Sequence, residues 1–182
     1  MLDQAATPTR TDPAAPVPDR APNAYIEQIL LLVGRLNYTW TNTESLLIYL
    51  IAGLSKVDKE TAIIIFLTLN TTRARIDLVE RLAKMSRTDA GCRREILEIT
   101  RQLGRESGLR NKYNHCIYSF DPESGRGMTQ LMRIFDNKDQ IKYGKVEHLD
   151  DMEIARIQAS ISALAEINRT IWALVRKHGF PT

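Results

Sequence analysis

The chain has 182 residues, of which 43% are hydrophobic, and its 25 Lys and Arg oppose 22 Asp and Glu for a net charge of +3. This length and composition predict one globular domain with a packed core and exclude collagenous and fibrous proteins. Two cysteines, Cys92 and Cys116, are too few for a disulfide framework and favour a reducing compartment. No apolar run approaches the roughly 20 residues of a membrane-spanning helix, and no basic start followed by an apolar run marks a signal peptide. We therefore expect a cytoplasmic protein that does not enter a membrane.

The N-terminal segment differs in composition from the rest of the chain. Residues 1–22 hold five of the seven prolines, among Ala, Thr and Asp. Such a segment has little apolar surface to bury, which predicts a disordered Pro/Ala-rich tail. The folded helical domain is then expected over residues 23–182.

Two helical segments follow the tail. Apolar residues at helical spacing begin after Asn23, which is suited to an N-cap, and continue to Leu54. This pattern predicts one long helix, or two helices joined near residues 41–43. Asp58 is suited to cap a second helix, which we expect to end near Ser86.

A third helix and a small hairpin come next. Asp89 is suited to cap the third helix, whose apolar pattern continues to about Phe120. Residues 128–135 and 140–146 are short β-compatible runs, and the polar residues 136–139 between them are typical of a turn. The sequence therefore predicts a small β-hairpin.

The last segment is again helical. Asp150 or Asp151 can open a helix whose apolar residues repeat at helical spacing, and His178 and Gly179 end it. The predicted fold is all-α, a bundle of four to five helices with a small β-hairpin inserted before the last helix.

The positive charge is concentrated in the second and third helices. Residues 56–87 carry a net +3 and residues 88–120 a net +2. Such a surface attracts polyanions, whereas pairing with neighbouring carboxylates would make it an ordinary solvated face. The basic side chains are Arg73, Arg75, Arg81, Lys84, Arg87, Arg93, Arg94, Arg101, Arg105, Arg110 and Lys112. The acidic side chains available to pair with them are Asp77, Glu80, Glu95 and Glu98.

One dense polar cluster, the segment Arg-Asn-Lys-Tyr-Asn-His at 110–115, lies near the end of the third helix. On a helical wheel the core-facing stripe is formed by Leu109, Tyr113, Cys116, Ile117 and Phe120. The opposite polar face is formed by Arg110, Asn111, Asn114 and His115, with Ser107 and Tyr118 inside the same arc. Arg110 and His115 then lie at opposite edges of this face, about 7.5 Å apart along the axis. Two such helices meeting about a two-fold axis would bring two Arg and two His to one cleft, which predicts a homodimer.

These residue types suit metal-independent phosphodiester chemistry. A histidine can take a proton from a ribose 2′-hydroxyl or give one to the leaving oxygen, because its pKa lies near neutral pH. An arginine can hold the phosphate and stabilise developing negative charge, and an asparagine can orient the imidazole. The sequence has no metal-ligating histidine motif and no phosphate-binding glycine loop, so we expect neither a metal nor a cofactor.

Arg-Asn followed by three residues and His, late in a helix of an all-α bundle, resembles the HEPN (higher eukaryotes and prokaryotes nucleotide-binding) superfamily. This resemblance implies a homodimeric endoribonuclease that leaves 2′,3′-cyclic phosphate ends, in a toxin–antitoxin, phage-defence or RNA-processing setting with a possible cognate antitoxin or regulatory protein. It implies that Arg110 and His115 are the catalytic pair. The supporting or RNA-binding residues are then Asn111, Asn114, Lys112 and Tyr118.

Three interpretations of the polar cluster stay open. In the first it is the catalytic site of a ribonuclease. In the second the domain is a non-catalytic HEPN-like module that binds RNA, a nucleotide or a partner protein. In the third it is a helical adaptor, in which Arg110 and His115 pair within their own subunit. Glu44 of the first helix is either a support for the cleft or a solvated helix residue.

Overall fold

The computed structural model describes residues 22–121, 123–124 and 126–182. The expected disordered tail lies outside these residues, except that Pro22 already begins the first helix. The described residues form six α-helices and five short β-strands. The helices are α1 (Pro22–Glu44), α2 (Leu47–Ser55), α3 (Lys59–Thr68), α4 (Thr72–Ala83), α5 (Ala90–Asn114) and α6 (Asp151–Lys177). The strands are β1 (Cys116–Phe120), β2 (Gly127–Leu131), β3 (Ile134–Asn137), β4 (Gln140–Tyr143) and β5 (Val146–Leu149).

The core lies between the long helices α1, α5 and α6, with α2 and α4 against them. Fully buried side chains include Leu36 and Trp40 of α1, Leu103 of α5 and Leu164 of α6. These residues repeat at helical spacing, so each long helix buries one apolar stripe and exposes its polar face. No helix in the described part of the chain is both long enough and apolar enough to cross a membrane.

Three of the predicted helix starts are confirmed by side-chain caps. The carboxylate of Asp58 accepts a hydrogen bond from the Thr61 backbone N–H at 2.8 Å. Asp89 accepts from the first turn of α5, and Asp150 accepts from the Glu153 N–H at 2.8 Å. These bonds satisfy backbone donors that a helix leaves unpaired at its start.

The first two predicted helical segments are each divided into two helices. The first breaks at Ser45 and Leu46, slightly beyond the predicted junction. The second breaks between Thr68 and Thr72, because the Thr71 hydroxyl accepts a hydrogen bond from the Ala74 N–H at 3.1 Å and starts a new helix. These two breaks raise the number of helices to six in the described residues.

The prediction that the third helix continues to about Phe120 is wrong. Helix α5 ends at Asn114, His115 has φ −126° and ψ 35°, and Cys116–Phe120 is strand β1. β-Branched and aromatic residues favour an extended backbone, and here they pair with β2 along the full length of β1. Ile117, predicted to face the core, is 51% exposed. Tyr118, predicted to lie on the polar face of the helix, lies on the strand instead.

The β structure is larger than a single hairpin. β1, β2 and β5 form an antiparallel sheet in the order β1-β2-β5, and β3 and β4 form a separate antiparallel hairpin. The predicted strand 128–135 is interrupted at Met132 and Arg133, and the predicted turn closes at residues 138–139. The fold is therefore mainly helical with a small antiparallel sheet before the last helix, and the all-α expectation is corrected to that extent.

Candidate active site at the end of helix α5

Helix α5 carries most of the polar segment 110–115, and the helix ends between Arg110 and His115. Arg110 lies within the last turns of the helix, whereas His115 is its C-cap residue. The His115 N–H donates to the carbonyl oxygens of Asn111 at 3.1 Å and Lys112 at 3.2 Å. The His115 carbonyl accepts from the Met132 N–H at 2.8 Å. His115 is thus held by the helix on one side and by the segment after β2 on the other.

The guanidinium of Arg110 is held by its own subunit. Its Nη1 donates to Oδ1 of Asn111 at 3.1 Å. Its Cζ lies 5.7 Å from the ring centroid of Trp40, within the range of a cation–π contact. Arg110 is half-buried, so these contacts fix its side chain more firmly than a solvated arginine.

A chain of amides links Arg110 to α1. With its amide oxygen turned towards Arg110, Asn114 accepts from Nε at 2.9 Å and from Nη2 at 3.1 Å. In the same orientation the Asn114 amide nitrogen donates to Oδ1 of Asn37 at 2.6 Å. Asn37 in turn donates to the carbonyl of Val33 at 3.1 Å. This orientation gives the Nε and Nη2 groups of Arg110 an acceptor, and it links Arg110 to α1.

Beneath Trp40 lies a buried ionic network centred on Glu44. The Trp40 indole N–H donates to Oε2 of Glu44 at 3.2 Å, and the Thr72 hydroxyl donates to Oε1 at 2.6 Å. Arg75 Nη1 lies 3.2 Å from the same Oε1. Glu44 is only 7% exposed, so the interpretation of Glu44 as a solvated helix residue is wrong. Glu44 supports the indole on which Arg110 rests.

His115 borders a cleft of about 430 Å³ between the end of α5 and the sheet. Asn111 and Lys112 also line the cleft from α5, while Thr129 and Glu147 line it from β2 and β5. His115 is exposed, and its imidazole forms no hydrogen bond or ion pair with any residue that the structure describes. The ring is therefore accessible to a ligand in the cleft.

The ammonium of Lys112 forms ion pairs with two carboxylates. This ammonium lies 2.5 Å from Oε2 of Glu147 and 2.5 Å from Oε1 of Glu153. Hydrogen bonds from Lys112 and Lys145 lower the pKa of Glu147 to about 2. Burial disfavours the charged form of Lys112, but the two carboxylates outweigh it and raise the pKa of Lys112. Lys112 thus joins α5 to β5 and α6 at the floor of the cleft.

The hydroxyls of the two tyrosines near the site form hydrogen bonds within the protein. Tyr113 is buried and donates to Oε1 of Glu153 at 2.7 Å, and burial followed by this carboxylate raises the pKa of Tyr113. Tyr118 donates to the Tyr113 carbonyl at 2.8 Å, and burial raises the pKa of Tyr118 as well. Both hydroxyls stay protonated at neutral pH and are bound within the protein.

The structure brings only part of the predicted cluster together. Arg110 contacts both Asn111 and Asn114, and Asn111 also borders the cleft with His115. Arg110 does not line that cleft, and no hydrogen bond joins Arg110 to His115 within the described residues. Asn111 therefore links Arg110 to the cleft that His115 borders.

Part of the basic helical surface is paired with carboxylates on the same helices. Arg73 lies 2.9 Å from Asp77, Lys84 lies 3.8 Å from Glu80, and Arg101 lies 2.5 Å from Glu98. Glu95, in contrast, binds Lys177 and His178 at the end of α6. Pairing within these helices is therefore confirmed at Asp77, Glu80 and Glu98, and among the described residues it does not occur at Glu95.

Sequence reasoning missed Asn37 and Trp40. Their spacing with Glu44, at i, i+3 and i+7, places the three side chains on one face of α1, and this face meets α5 at Arg110. Trp40 fits the apolar stripe of α1 and so carries no separate signal in the sequence. Asn37 was the available clue, because it is a polar residue adjoining that stripe.

The chain matches no protein-family model, no curated protein and no solved structure.

Proposed function

We propose that the protein is a metal-independent endoribonuclease of HEPN type that acts as a homodimer. The observation that carries this proposal is that an anchored arginine and an accessible histidine both lie at the end of one helix. Arg110 is fixed by Asn111, Asn114 and Trp40 before any substrate binds, and the His115 imidazole faces an open cleft. Phosphodiester cleavage needs a preorganised positive charge and a free acid–base group, and each subunit supplies one of each.

The reaction follows from these roles. His115 takes the proton of the ribose 2′-hydroxyl, and the 2′-oxygen forms a bond to the adjacent phosphorus. The bond from phosphorus to the 5′-oxygen breaks, and His115 returns the proton to that oxygen through a water molecule. The products are a 2′,3′-cyclic phosphate and a 5′-hydroxyl. Arg110 stabilises the charge that develops on the phosphoryl oxygens.

A homodimer supplies what one subunit lacks. Within the described residues of one subunit, Arg110 faces α1 and His115 faces the cleft, without direct contact. A two-fold axis near the end of α5 would place Arg110 of one subunit beside His115 of its partner.

The setting that we propose is cytoplasmic, in a toxin–antitoxin or phage-defence system, with RNA as substrate and a cognate antitoxin or regulatory protein as partner. The support is the Arg-Asn-x-x-x-His segment at 110–115 and its position at the end of a long bundle helix. The roles of Lys112 and Tyr118 in RNA binding are indirect, since both side chains already bind protein groups.

The test is RNA cleavage in EDTA by the purified protein and by the His115→Ala and Arg110→Ala variants. We expect loss of activity in both folded variants and 2′,3′-cyclic phosphate ends from the parent. Two matched controls share the chemistry but lie outside the site: exposed His148 of β5 and exposed Arg105 of α5. His148→Ala and Arg105→Ala should retain activity, and cleavage by His115→Ala at the parental rate would overturn the assignment.

A second candidate function is a non-catalytic HEPN-like module that binds RNA, a nucleotide or a partner protein. It is favoured by one observation: no described carboxylate or amide orients the His115 ring within its own subunit. RNA binding without cleavage, unchanged in His115→Ala, would support this candidate over the ribonuclease.

A further inference from the structure

The wall of the cleft opposite α5 is built by the base of the β3–β4 hairpin. Met132 and Arg133 enter the hairpin and Lys145 leaves it, and all three line the cleft that His115 borders. All three are exposed. The hairpin base therefore presents two cations and one flexible apolar side chain towards the histidine.

Backbone contacts fix this wall relative to His115. The Met132 N–H donates to the His115 carbonyl at 2.8 Å, and the Leu131 N–H donates to the Lys145 carbonyl at 3.2 Å. Gly144 passes so close to the Leu131 carbonyl that an added Cβ would lie 2.0 Å from that oxygen. Only glycine permits this approach, which joins both ends of the hairpin at one point. The backbone from which Arg133 and Lys145 extend is thus held in place relative to His115.

Both cations remain available to a ligand. Arg133 lies over the ring of Phe135, with Cζ 4.9 Å from the ring centroid, and this contact leaves its in-plane N–H groups free. Lys145 lies 2.9 Å from Glu147, but its side chain is 78% exposed, and such an exposed pair is weak. Lys112, held by two carboxylates, is not available in this way.

The shape and lining of the cleft fit a nucleotide. Its volume of about 430 Å³ lies within the usual range for small-ligand sites. Leu131 and Met132 offer apolar contact to a base, and Arg133 and Lys145 line the same cleft and can bind phosphates. The carboxylate of Glu147 also lines the cleft and is paired with Lys112 and Lys145. Single-stranded nucleic acid is commonly bound in a positively charged groove that follows its backbone.

We propose that this cleft binds the single-stranded RNA next to the scissile phosphate, with a base against Met132 and backbone phosphates on Arg133 and Lys145. The inference rests on the proposed function for the identity of the ligand. It adds that the hairpin base, rather than the basic side chains of α4 and of the first turns of α5, holds the strand next to the scissile phosphate.

The test compares two double variants of the same hairpin. Arg133→Ala/Lys145→Ala removes the two cations of the cleft, and Lys138→Ala/Lys142→Ala removes two exposed cations outside it. The probe is a single-stranded RNA with 2′-O-methyl riboses, which cannot be cleaved, and its Kd is measured from 50 to 300 mM salt. We expect the cleft variant to bind about tenfold more weakly at low salt and to lose about 1.4 from the slope of log K against log salt, at roughly 0.7 per lost phosphate contact. The control variant should lose far less of either.

Each other outcome decides against the inference. Equal weakening by both double variants means that the charge of the hairpin acts non-specifically, and unchanged binding by the cleft variant means that the RNA lies elsewhere. Thermal unfolding of both variants shows that they are folded. Failure of the proposed function gives a different result. If the parent binds the probe through Arg133 and Lys145 but leaves unmodified RNA intact, the ribonuclease proposal fails and the RNA-binding site stands. A parent that does not bind the probe overturns the inference.

Discussion

The guanidinium of Arg110 lies over the indole ring of Trp40, with 5.7 Å between Cζ and the ring centroid. Trp40 is fully buried and donates its N–H to Glu44, so the ring cannot shift without breaking a buried hydrogen bond. The arginine therefore rests on a rigid support before substrate arrives. Support of this kind reduces the reorganisation that a catalytic side chain must undergo during the reaction.

Removal of the Asn37 amide, which holds Asn114 and through it Arg110, should lower kcat more than it raises KM. In Asn37→Ala, the Asn114 amide loses its acceptor on α1 and no longer orients Arg110. We expect kcat to fall by about tenfold with KM changed less than twofold, since the arginine is still present but less well placed. The matched control is Asn42→Ala, at an exposed position of the same helix, which should behave as the parent. Equal loss in the two variants would show that Asn37 has no positioning role.

Mixing two inactive variants should restore activity if the site is shared between subunits. A heterodimer of Arg110→Ala and His115→Ala carries one complete site when Arg and His come from different subunits, and none when both come from one subunit. Random exchange then gives about one quarter of the parental specific activity. The measurement is RNA cleavage after the variants are unfolded and refolded together, and no recovery would place the pair within one subunit.

The interaction of Lys112 with Glu147 should stabilise the fold above about pH 4.5 and lose its effect towards pH 2. The folded-state pKa of Glu147 is lowered from 4.5 to about 2, so this carboxylate stabilises the native state wherever it is ionised in both states. Lys112→Met should lower the free energy of unfolding by about 1–3 kcal/mol at pH 7, and this difference should shrink as the pH falls through 4 to 2. Urea unfolding at pH 7, 5 and 3 measures it.

The control for this prediction is Lys145→Met. Lys145 also pairs with Glu147 but is 78% exposed, so its removal should change the stability by less than about 0.5 kcal/mol. A difference for Lys112→Met that stays constant from pH 7 to pH 3 would mean that packing of the lysine stem, and not its charge, stabilises the fold.

Removal of the Glu44 carboxylate should destabilise the bundle strongly. Glu44→Ala leaves Arg75, only 18% exposed, without its carboxylate and leaves the Trp40 and Thr72 donors unpaired. We expect a loss of about 3 kcal/mol in urea unfolding at pH 7. Glu44→Gln keeps the hydrogen-bond geometry and should lose less, whereas Glu166→Ala, which breaks an exposed pair with Arg169, should lose under about 0.5 kcal/mol.

Sequence patterns predicted what depends on local chemistry. Asp58, Asp89 and Asp150 are confirmed as caps, because a carboxylate three residues before a backbone N–H needs no distant partner. The end of α5 depends on a distant partner. Cys116–Phe120 fits a helical stripe as well as an alternating strand, and β2 decides between them by pairing with it.

The candidate site shows the same division. The segment 110–115 was visible as a polar cluster, but the contacts that fix Arg110 come from Asn37 and Trp40, more than sixty residues earlier in the chain. The cleft beside His115 was not foreseen, because its opposite wall is made by the interruption between β2 and β3. Periodicity predicts which face of an element is buried, but not which side chains meet across two elements.

Because α5 ends at Asn114, the residues around the segment 110–115 belong to two different parts of the fold. Everything that holds Arg110 belongs to the helical bundle, whereas the far side of the His115 cleft belongs to the sheet and the hairpin. Substitutions in the hairpin can therefore alter what reaches the histidine without disturbing the arginine. Residues 132–145 are therefore the place to begin directed evolution of ligand choice, because changes there leave the helical framework around Arg110 intact.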